Sequence, residues 1–242
     1  MRAVIERHLT KLRARDFVSP DHENAIRESI RDYRDIPADR TVIRANVRLD
    51  HCTLLVDGVL CRYKDVRSGE RQITELHLPG DFVDLHSFTL KRLDQPVMSL
   101  TPCRVASIPH DKLRLLTERH PHLARLYWFA TNLDAAIHRE WEVSLGRRTA
   151  RAKLSALFCE LLMRLQVVGL ADESGYDLPL TQADLGDCTG LTAVHVNRTL
   201  KELRGDQLIT FQNNRVTIHD LAGLRRAGEF DATYLYLERQ HC

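Results

Sequence analysis

The segment over residues 180–203 constrains the fold of this chain more than any other part of its sequence. Thr181 is followed three residues later by Asp184, which predicts a capping box at the start of a helix. Gly190 then predicts a left-handed turn that ends this helix, and Thr192 predicts the N-cap of a second helix. A short helix, a glycine turn and a second helix are typical of the helix-turn-helix.

The second helix is predicted over 193–204, with one apolar and one polar face. Val196, Leu200 and Leu203 recur at spacings of four and three and therefore share the buried face. The polar face and the two helix starts supply the predicted DNA contacts, which are Thr181, Gln182, Thr192, Val194, His195, Asn197, Arg198 and Lys201. Between residues 190 and 218, four basic residues stand against two acidic ones, so this region is basic although the chain's net charge is only +2.

A hairpin is predicted directly after the second helix. Residues 208–211 and 215–218 have the pattern of strands, and asparagine between them tolerates a positive φ. A hairpin at this place is typical of a winged helix-turn-helix, and we expect Asn213, Asn214 and Arg215 to reach DNA phosphates. A helix pair around a glycine also occurs in proteins that bind no DNA. The wing, the caps and the basic face together favour DNA binding.

Length and composition fit one large domain or two smaller ones. The chain has 242 residues, of which 43% are hydrophobic and 28% charged. No apolar run approaches the ~20 residues that cross a bilayer, and the basic N-terminal stretch lacks the apolar segment of a secretory signal, so we expect a cytoplasmic protein. The six cysteines, at 52, 61, 103, 159, 188 and 242, lack Cys-x-x-Cys spacing. We therefore expect reduced thiols and no metal site.

The N-terminal half has the pattern of many short strands after a predicted helix over 21–33. Asp57-Gly58 lies between two apolar runs, 52–56 and 59–63, which predicts a β-hairpin. In that hairpin Cys52 and Cys61 would be diagonal neighbours, too far apart for a disulfide. Further strands are predicted over 71–78, 97–100 and 104–108. Short strands separated by turns predict a sandwich or barrel.

From about residue 111 the period becomes helical. A heptad-like seam is formed by Leu123, Leu126, Ala130, Leu133 and Ile137. Two interpretations are open: this helix pairs with the same helix of a second copy, or it is buried against its own domain. Gly146-Arg147-Arg148 predicts a hinge, and a further amphipathic helix is predicted over 149–167.

Three segments together resemble the Crp/Fnr family, named for the cyclic-AMP receptor protein and the fumarate-nitrate regulator. They are Leu-Thr-Gln-Ala-Asp-Leu-Gly at 180–186, Gly-Leu-Thr-Ala-Val-His-Val-Asn-Arg-Thr-Leu-Lys-Glu-Leu at 190–203, and Leu-Pro-Gly-Asp-Phe at 78–82. The resemblance covers nearly the whole chain. It implies an α+β fold: a cyclic-nucleotide-binding-like β-barrel (jelly roll) over 1–118, a dimerisation helix over 119–146 and a winged helix-turn-helix over 147–242.

The resemblance also implies partners and contacts. It implies a homodimer on a pseudo-palindromic DNA operator, with RNA polymerase as a further partner. Arg198 matches the family arginine that reads a guanine, which arginine recognises bidentately. Val194 stands where many relatives have a glutamate that accepts from cytosine; valine can only touch a thymine methyl, so we expect a different half-site.

The family's sensor pocket maps onto the loop after the turn at 78–82. Its candidate residues here are Gly80, Asp81, Phe82, Asp84 and Leu85. Gln95-Pro96 occupies the place of the Arg-Ser or Arg-Thr pair that binds the cyclic-nucleotide phosphate in the family. Residues 133–137 lack the family's Thr-Ser pair that contacts adenine. We therefore expect an effector other than cyclic AMP, or none, and predict no cofactor.

Alternatives to this reading remain open. They are a cyclic-nucleotide-responsive regulator and a redox- or haem-linked sensor, for which His51, His77, His86 and Cys52 are the candidate haem ligands. An enzyme is not expected, because the sequence has no glycine-rich phosphate loop, no His-Glu-x-x-His and no nucleophile elbow, and no catalytic residue is predicted. The operator, and whether the protein activates or represses, are left open.

Overall fold

The computed structural model describes residues 4–241, which form two compact units. The first unit holds the chain up to Tyr63, the segment Leu76–Ala135 and the C-terminal tail from Leu237. The second holds Lys64–Glu75 and Ala136–Tyr236. Both units are therefore discontinuous in sequence. The three-part division at 118 and 146 stays a prediction.

Seven strands form two antiparallel sheets. They are β1 (Asp32–Ile36), β2 (Thr41–Ile43), β3 (His51–Asp57), β4 (Leu60–Asp65), β5 (Arg71–His77), β6 (Val97–Ser99) and β7 (Cys103–Pro109). One sheet has the order β1-β7-β3 and the other β2-β6-β4-β5. Leu54 and Ile108 are fully buried in one apolar cluster, Leu60 and Val97 in another. The sandwich or barrel predicted from the strand pattern is confirmed.

The predicted hairpin around Asp57-Gly58 is wrong, because β3 and β4 lie in different sheets. Leu54 pairs with Ala106 on β7, and Cys61 pairs with Met98 on β6. The dipeptide is a turn with Gly58 at φ +88°, but it carries the chain from one sheet to the other. A Cβ at Gly58 would lie 2.4 Å from the carbonyl oxygen of Pro102, so glycine is required there.

Four helices belong to the first unit: α1 (Glu6–Arg15), α2 (Pro20–Ser29), α3 (Ser87–Leu90) and α4 (His110–Arg119). The first was not predicted, because its charged residues mask the buried Leu9 and Leu12. The second ends four residues before the predicted Tyr33, which instead lies in β1. Ser19 begins α2 by accepting a hydrogen bond from the His22 amide at 3.2 Å.

The long helix α5 (Pro121–Arg147) carries the predicted seam. Leu123 and Leu126 are 0% and 1% exposed within the apolar cluster of their own unit, and Ile137 is also buried. These three side chains have no surface left for a second copy, because the chain's own core covers them. Ala130 and Leu133 are half-buried. The large apolar side chains that α5 exposes are instead Trp128 and Val143.

The second unit packs short elements on one buried helix. They are α6 (Ala150–Val167), β8 (Ala171–Asp172), β9 (Gly175–Asp177), α7 (Gln182–Thr189), α8 (Ala193–Gly205), β10 (Ile209–Gln212), β11 (Arg215–Ile218), α9 (Leu221–Gly228) and a 3₁₀ turn at Ala232–Leu235. The strands have the order β10-β11-β9-β8. Phe158 of α6 lies 6.1 Å from the ring of Phe211 on β10, which anchors the sheet to the helix. Of the helices in the described chain, none is both long and apolar enough to cross a membrane.

Candidate nucleic-acid interface

Both helices of the predicted helix-turn-helix begin at side-chain caps. The Asp184 amide donates to Thr181 Oγ1 at 3.1 Å, and the Thr181 amide donates back to Asp184 Oδ2 at 2.7 Å. Thr192 Oγ1 accepts from the His195 amide at 3.3 Å. Each cap satisfies a backbone N–H that a helix start leaves unpaired, which stabilises it by about 1 kcal/mol. The predicted starts of α7 and α8 are confirmed.

Two glycines set the turn between these helices. Gly190 has φ +64°, the left-handed conformation predicted for it. Gly186 was not singled out from the sequence, although a Cβ there would lie 2.4 Å from the Leu191 carbonyl oxygen. The Leu191 amide donates to the Gly186 carbonyl at 3.0 Å. The chain therefore passes directly over Gly186 on its way to α8.

The helix α8 buries one face and exposes the other, as its pattern predicted. Val196 and Leu203 are fully buried, whereas Val194 is 77% exposed. Arg198 exposes 65% of its side chain and lies 3.8 Å from Glu202, a loose pair on the helix surface. His195 and Lys201 are also exposed. This face presents a cation and a methyl-bearing side chain with little competition from neighbouring groups.

Asn197 and Gln182 differ from the other predicted contacts because they bond to each other. Asn197 Nδ2 donates to Gln182 Oε1 at 3.1 Å, and both side chains are half-buried. This bond joins α7 to α8 beside the shared apolar core. The pair fixes the angle between the helices as well as lying next to the exposed face.

The wing is a β-hairpin with a two-residue turn. Gln212 pairs with Arg215, and Asn213 and Asn214 between them have φ values of 51° and 59°. Positive φ at both central positions is the requirement of a type I′ turn, which asparagine meets. The tip is exposed, and Arg215 Nη1 pairs with Asp177 at 2.9 Å. The Arg215 guanidinium must therefore be shared between that carboxylate and any phosphate that it contacts.

A contact missed from the sequence comes from the β4–β5 hairpin, whose residues 64–75 belong to the second unit. Gln72 Nε2 donates to the Asp187 carbonyl oxygen at 2.8 Å, at the C-terminal end of α7. That end of a helix has unpaired carbonyls, so the amide acts as a cap from another element. A glutamine in a strand gives no signal of such a distant partner.

A buried carboxylate ties α5 to α6 in the same unit. Glu160 is 2% exposed and accepts from Trp141 Nε1 at 3.0 Å, Tyr234 Oη at 2.9 Å and Arg164 Nη1 at 3.0 Å. A buried charge is stable only when it is hydrogen-bonded and paired, and here three donors surround it. The end of α5 is thereby held to the helix that carries the helix-turn-helix.

The five candidate effector residues are buried within the first unit. Gly80, Asp81, Phe82 and Leu85 line one cavity together with residues of α1 and α5, whereas Asp84 does not line it. Asp81 forms an ion pair with Lys11 and accepts from the Leu78 amide at 2.9 Å. Four of the five predicted residues therefore lie together, and Asp84 points elsewhere.

Asp84 lies in a second polar group that includes an arginine not singled out from the sequence. Its Oδ1 accepts from the Thr53 amide at 2.6 Å, and burial raises its pKa to about 7. Arg62 is 6% exposed and donates to the Val83 carbonyl at 2.7 Å and to His86 Nε2 at 2.9 Å. Arg62 interrupts an otherwise apolar strand, a signal that was present in the sequence.

The four candidate haem ligands do not converge. His51 pairs with Asp50 at 2.7 Å, His86 accepts from Arg62, and burial raises the pKa of the Cys52 thiol. His77 is buried. Within residues 4–241, no group of three or more His, Cys, Asp or Glu side chains is arranged to hold a metal ion.

Comparison with known proteins places both units. Residues 33–120 match the model of the cyclic nucleotide-binding domain, and residues 153–227 match that of the Crp-like helix-turn-helix domain. The transcriptional activator protein FnrL of Cereibacter sphaeroides is 31% identical over 208 residues, which cover 84% of this chain and 82% of that protein. The nitrogen fixation regulation protein FixK of Bradyrhizobium diazoefficiens is 30% identical over 69% of this chain and 70% of its own.

A solved structure agrees in fold. FixK2 from Bradyrhizobium japonicum superposes with a TM-score of 0.74 at 22% identity, over 83% of this chain and 98% of that one. The c-di-GMP responsive regulator CLP of Xanthomonas campestris gives a TM-score of 0.65 at 13% identity, over 83% of this chain and 99% of that one. At these identities the likeness concerns the fold alone.

Proposed function

This chain belongs to the Crp/Fnr family of DNA-binding transcription regulators, and from that premise we propose that it is a homodimeric activator that reads a pseudo-palindromic operator. The exposed face of α8 carries the proposal, because it offers Arg198 and Val194 on a helix fixed by two caps and a tight turn. Relatives named as activators, FnrL among them, support the direction of regulation. The family is one of transcription factors and not of enzymes.

Within each half-site we propose a division of labour between side chains. Arg198 pairs with the two acceptors of a guanine, and Val194 packs on a thymine methyl. Lys201 and the wing residues Asn213, Asn214 and Arg215 contact phosphates, which set position and affinity. His195, Thr181 and Thr192 lie at the groove edge. Gln182 and Asn197 hold the two helices in register for this contact.

The dimer is proposed to form through α5. Trp128 is 69% exposed and Val143 53%, and they lie on the face of α5 opposite its buried leucines. An exposed tryptophan on a long helix supports pairing, because aromatic side chains are enriched in protein interfaces. Of the predicted seam, Ala130 and Leu133 lie on the opposite side of α5, where they line a cavity with Leu126, and Leu123, Leu126 and Ile137 are buried within the chain.

The effector is proposed not to be cyclic AMP. The buried Arg62 already donates to Val83 and His86. The loop after Asp84 has no Arg-Ser or Arg-Thr pair for a cyclic-nucleotide phosphate. A buried cyclic phosphate without its own cation would cost several kcal/mol. Asp84, Arg62 and His86 have hydrogen-bond partners within the chain, which supports DNA binding without a cyclic nucleotide.

Selection from a randomised duplex library tests the proposal. Purified, ligand-free protein should enrich a palindrome whose half-sites lie about one helical turn apart. Enrichment of a single unrepeated site would contradict the dimer, and no enrichment with or without cyclic AMP would contradict the function. The Arg198→Ala variant, selected in parallel, should lose preference at one base pair per half-site.

A further inference from the structure

The side-chain amides of Asn197 and Gln182 have more hydrogen-bonding groups than the fold uses. Asn197 Nδ2 donates to Gln182 Oε1 at 3.1 Å, and within the described chain neither side chain makes a further hydrogen bond. Asn197 therefore keeps its Oδ1 acceptor and the second hydrogen of Nδ2 for another partner. Holding the two helices in register leaves these two groups without a role.

Asn197 lies in the row of side chains that α8 presents outward. Val194, Arg198 and Lys201 are exposed, and their spacings of four and three place them on one side of the helix. Asn197 is the residue before Arg198, and it is half-buried because Gln182 lies against it. A DNA duplex that contacts Val194 and Arg198 therefore passes beside the Asn197 amide.

Gln182 fixes the orientation of that amide. It is the first residue of α7, and the capping box of Thr181 and Asp184 orders this helix start. An unrestrained asparagine can exchange the places of its oxygen and nitrogen by rotation about its last torsion angle. The bond to Gln182 Oε1 keeps Asn197 Nδ2 on the side of α7, so the donor and the acceptor have fixed places before DNA binds.

A fixed donor beside a fixed acceptor is complementary to one base edge in the major groove. Adenine presents the N7 acceptor beside the N6 donor, and an asparagine amide can pair with both. Guanine presents two acceptors, cytosine a single donor, and thymine an acceptor beside a methyl group. With each of these three bases, Asn197 Oδ1 or the free Nδ2 hydrogen would be left without a partner.

From this geometry we propose that Asn197 reads an adenine in each half-site through two hydrogen bonds, and that Gln182 is its positioning residue. Nδ2 donates to adenine N7 through its second hydrogen, and Oδ1 accepts from adenine N6. The proposal rests on the proposed function, because that function places α8 in the major groove. The half-site then contains an adenine close to the guanine that Arg198 reads, because Asn197 and Arg198 are neighbours on α8.

Library selection with the Asn197→Ala variant tests the contact. At one position of the half-site the parent should select adenine, and the variant should lose that preference by about tenfold or more. The guanine preference that depends on Arg198 should be retained. This retained preference also shows that the helix-turn-helix of the variant is folded.

The Asn197→Asp variant tests the identity of the base. A carboxylate accepts but does not donate, and the Gln182 amide can rotate to donate to it. At the position where the parent selects adenine, this variant should select cytosine, whose N4 is a donor. The matched control is Asn24→Asp, the same substitution at an exposed asparagine of α2, which should select the parental site.

Two variants of Gln182 test its positioning role. Gln182→Glu keeps an acceptor for Asn197 Nδ2, so the adenine preference should remain although the added negative charge weakens binding to every sequence. Gln182→Met has nearly the same length but no such acceptor, so the adenine preference should relax. A role in stability alone would not change the preference at a single base pair.

The outcomes separate this proposal from the proposed function. If Asn197→Ala selects the parental half-site unchanged, or relaxes it only at a base other than adenine, the proposal is overturned and the amide pair only joins α7 to α8. The DNA-binding function then stands, because the parent still enriches its palindrome. If the parent enriches no site, the proposed function fails and the adenine contact fails with it.

Discussion

Arg198 lies on the exposed surface of α8 and makes only one loose ion pair there. Its contribution to DNA binding can therefore be measured separately from its contribution to stability. Its Glu202 neighbour lies 3.8 Å away and both side chains are about half exposed or more, so the pair adds little to stability. We expect Arg198→Ala to weaken operator binding by about 1–3 kcal/mol and to relax one base pair per half-site, without a change in thermal unfolding.

Fluorescence anisotropy with operator and with a one-base variant measures this prediction. Arg239→Ala, which removes an exposed arginine from the tail, should bind like the parent and serves as the control. If the Arg198→Ala variant binds operator and scrambled DNA with the same affinities as the parent does, the assignment of α8 as the recognition helix is wrong.

Asp84 makes stability depend on pH in a defined direction. Burial raises its pKa in the folded protein to about 7, whereas the ordinary value is 3.8. The folded state therefore binds the proton more tightly, and the stability from this group is lost as the pH rises from about 4 to 7. His8 acts in the opposite sense, because burial lowers its pKa to about 4.

Because both groups titrate in one range, the comparison needs the Asp84→Asn variant. Asparagine can still accept from the Thr53 amide but does not ionise. Relative to the parent, this variant should gain about 2–3 kcal/mol in unfolding free energy between pH 5 and pH 7.5, measured by urea denaturation. A constant difference between the two proteins across that range would show that Asp84 is not buried as a neutral acid.

At the scale of elements, the cap on α7 by the β4–β5 hairpin has a measurable effect. Gln72→Ala removes the donor to the Asp187 carbonyl, and Gln72→Glu keeps the shape but also cannot donate. Both variants should lose about 1 kcal/mol of stability in the second unit and bind operator more weakly. Hydrogen exchange at residues 186–191 should speed up in both.

The control for this element is Arg67→Ala, at the exposed end of the same hairpin. It should leave exchange in that region at the parental rate. Retention of slow exchange in Gln72→Glu would mean that the hairpin holds α7 through other contacts.

Local elements were predictable from sequence wherever the signal was local. The caps at Thr181 and Thr192 and the asparagines of the wing act within four residues, and all form as predicted. The Asp57-Gly58 turn also forms, but the two strands that it joins pair with the distant strands β7 and β6 instead of with each other. Sequence spacing holds no information on that pairing.

The residues of the site also divide into those with a local sequence signal, which were predicted, and those whose partners lie far along the chain. The exposed face of α8 follows from its 3.6-residue period, so Val194 and Arg198 were found. Gln72 acts through a backbone carbonyl of a distant segment, which no side-chain pattern marks. Arg62 is marked in the sequence as a charge within the apolar run 59–63, but its partners Val83 and His86 are not. The leucines of α5 have a heptad spacing that a helix buried in its own unit shares with a coiled coil.

At the scale of the whole molecule, the proposed dimer depends on the exposed face of α5. Trp128→Asp places a charge where an apolar side chain is proposed to be buried between copies. We expect this variant to dissociate at concentrations where the parent is a dimer, with an association weaker by about 2 kcal/mol or more.

Light scattering of the free protein measures the mass. Val66→Asp, which changes another exposed apolar residue outside α5, should remain dimeric. Val143→Asp, which changes the other large exposed apolar side chain of α5, should shift the mass in the same direction as Trp128→Asp. A parental mass for both α5 variants would place the dimer contact elsewhere.

Each unit is assembled from separate stretches of chain, and this bears on how such a regulator can diversify. A genetic crossover at Ala136 would transfer the helix-turn-helix without residues 64–75 of the same unit. The Asp187 carbonyl would then lack the Gln72 amide that donates to it. The receiving barrel would have to bring a compatible hairpin of its own. Recombination between distant relatives is therefore penalised here, and new operator preferences are expected to arise by point substitution on α8 rather than by module exchange.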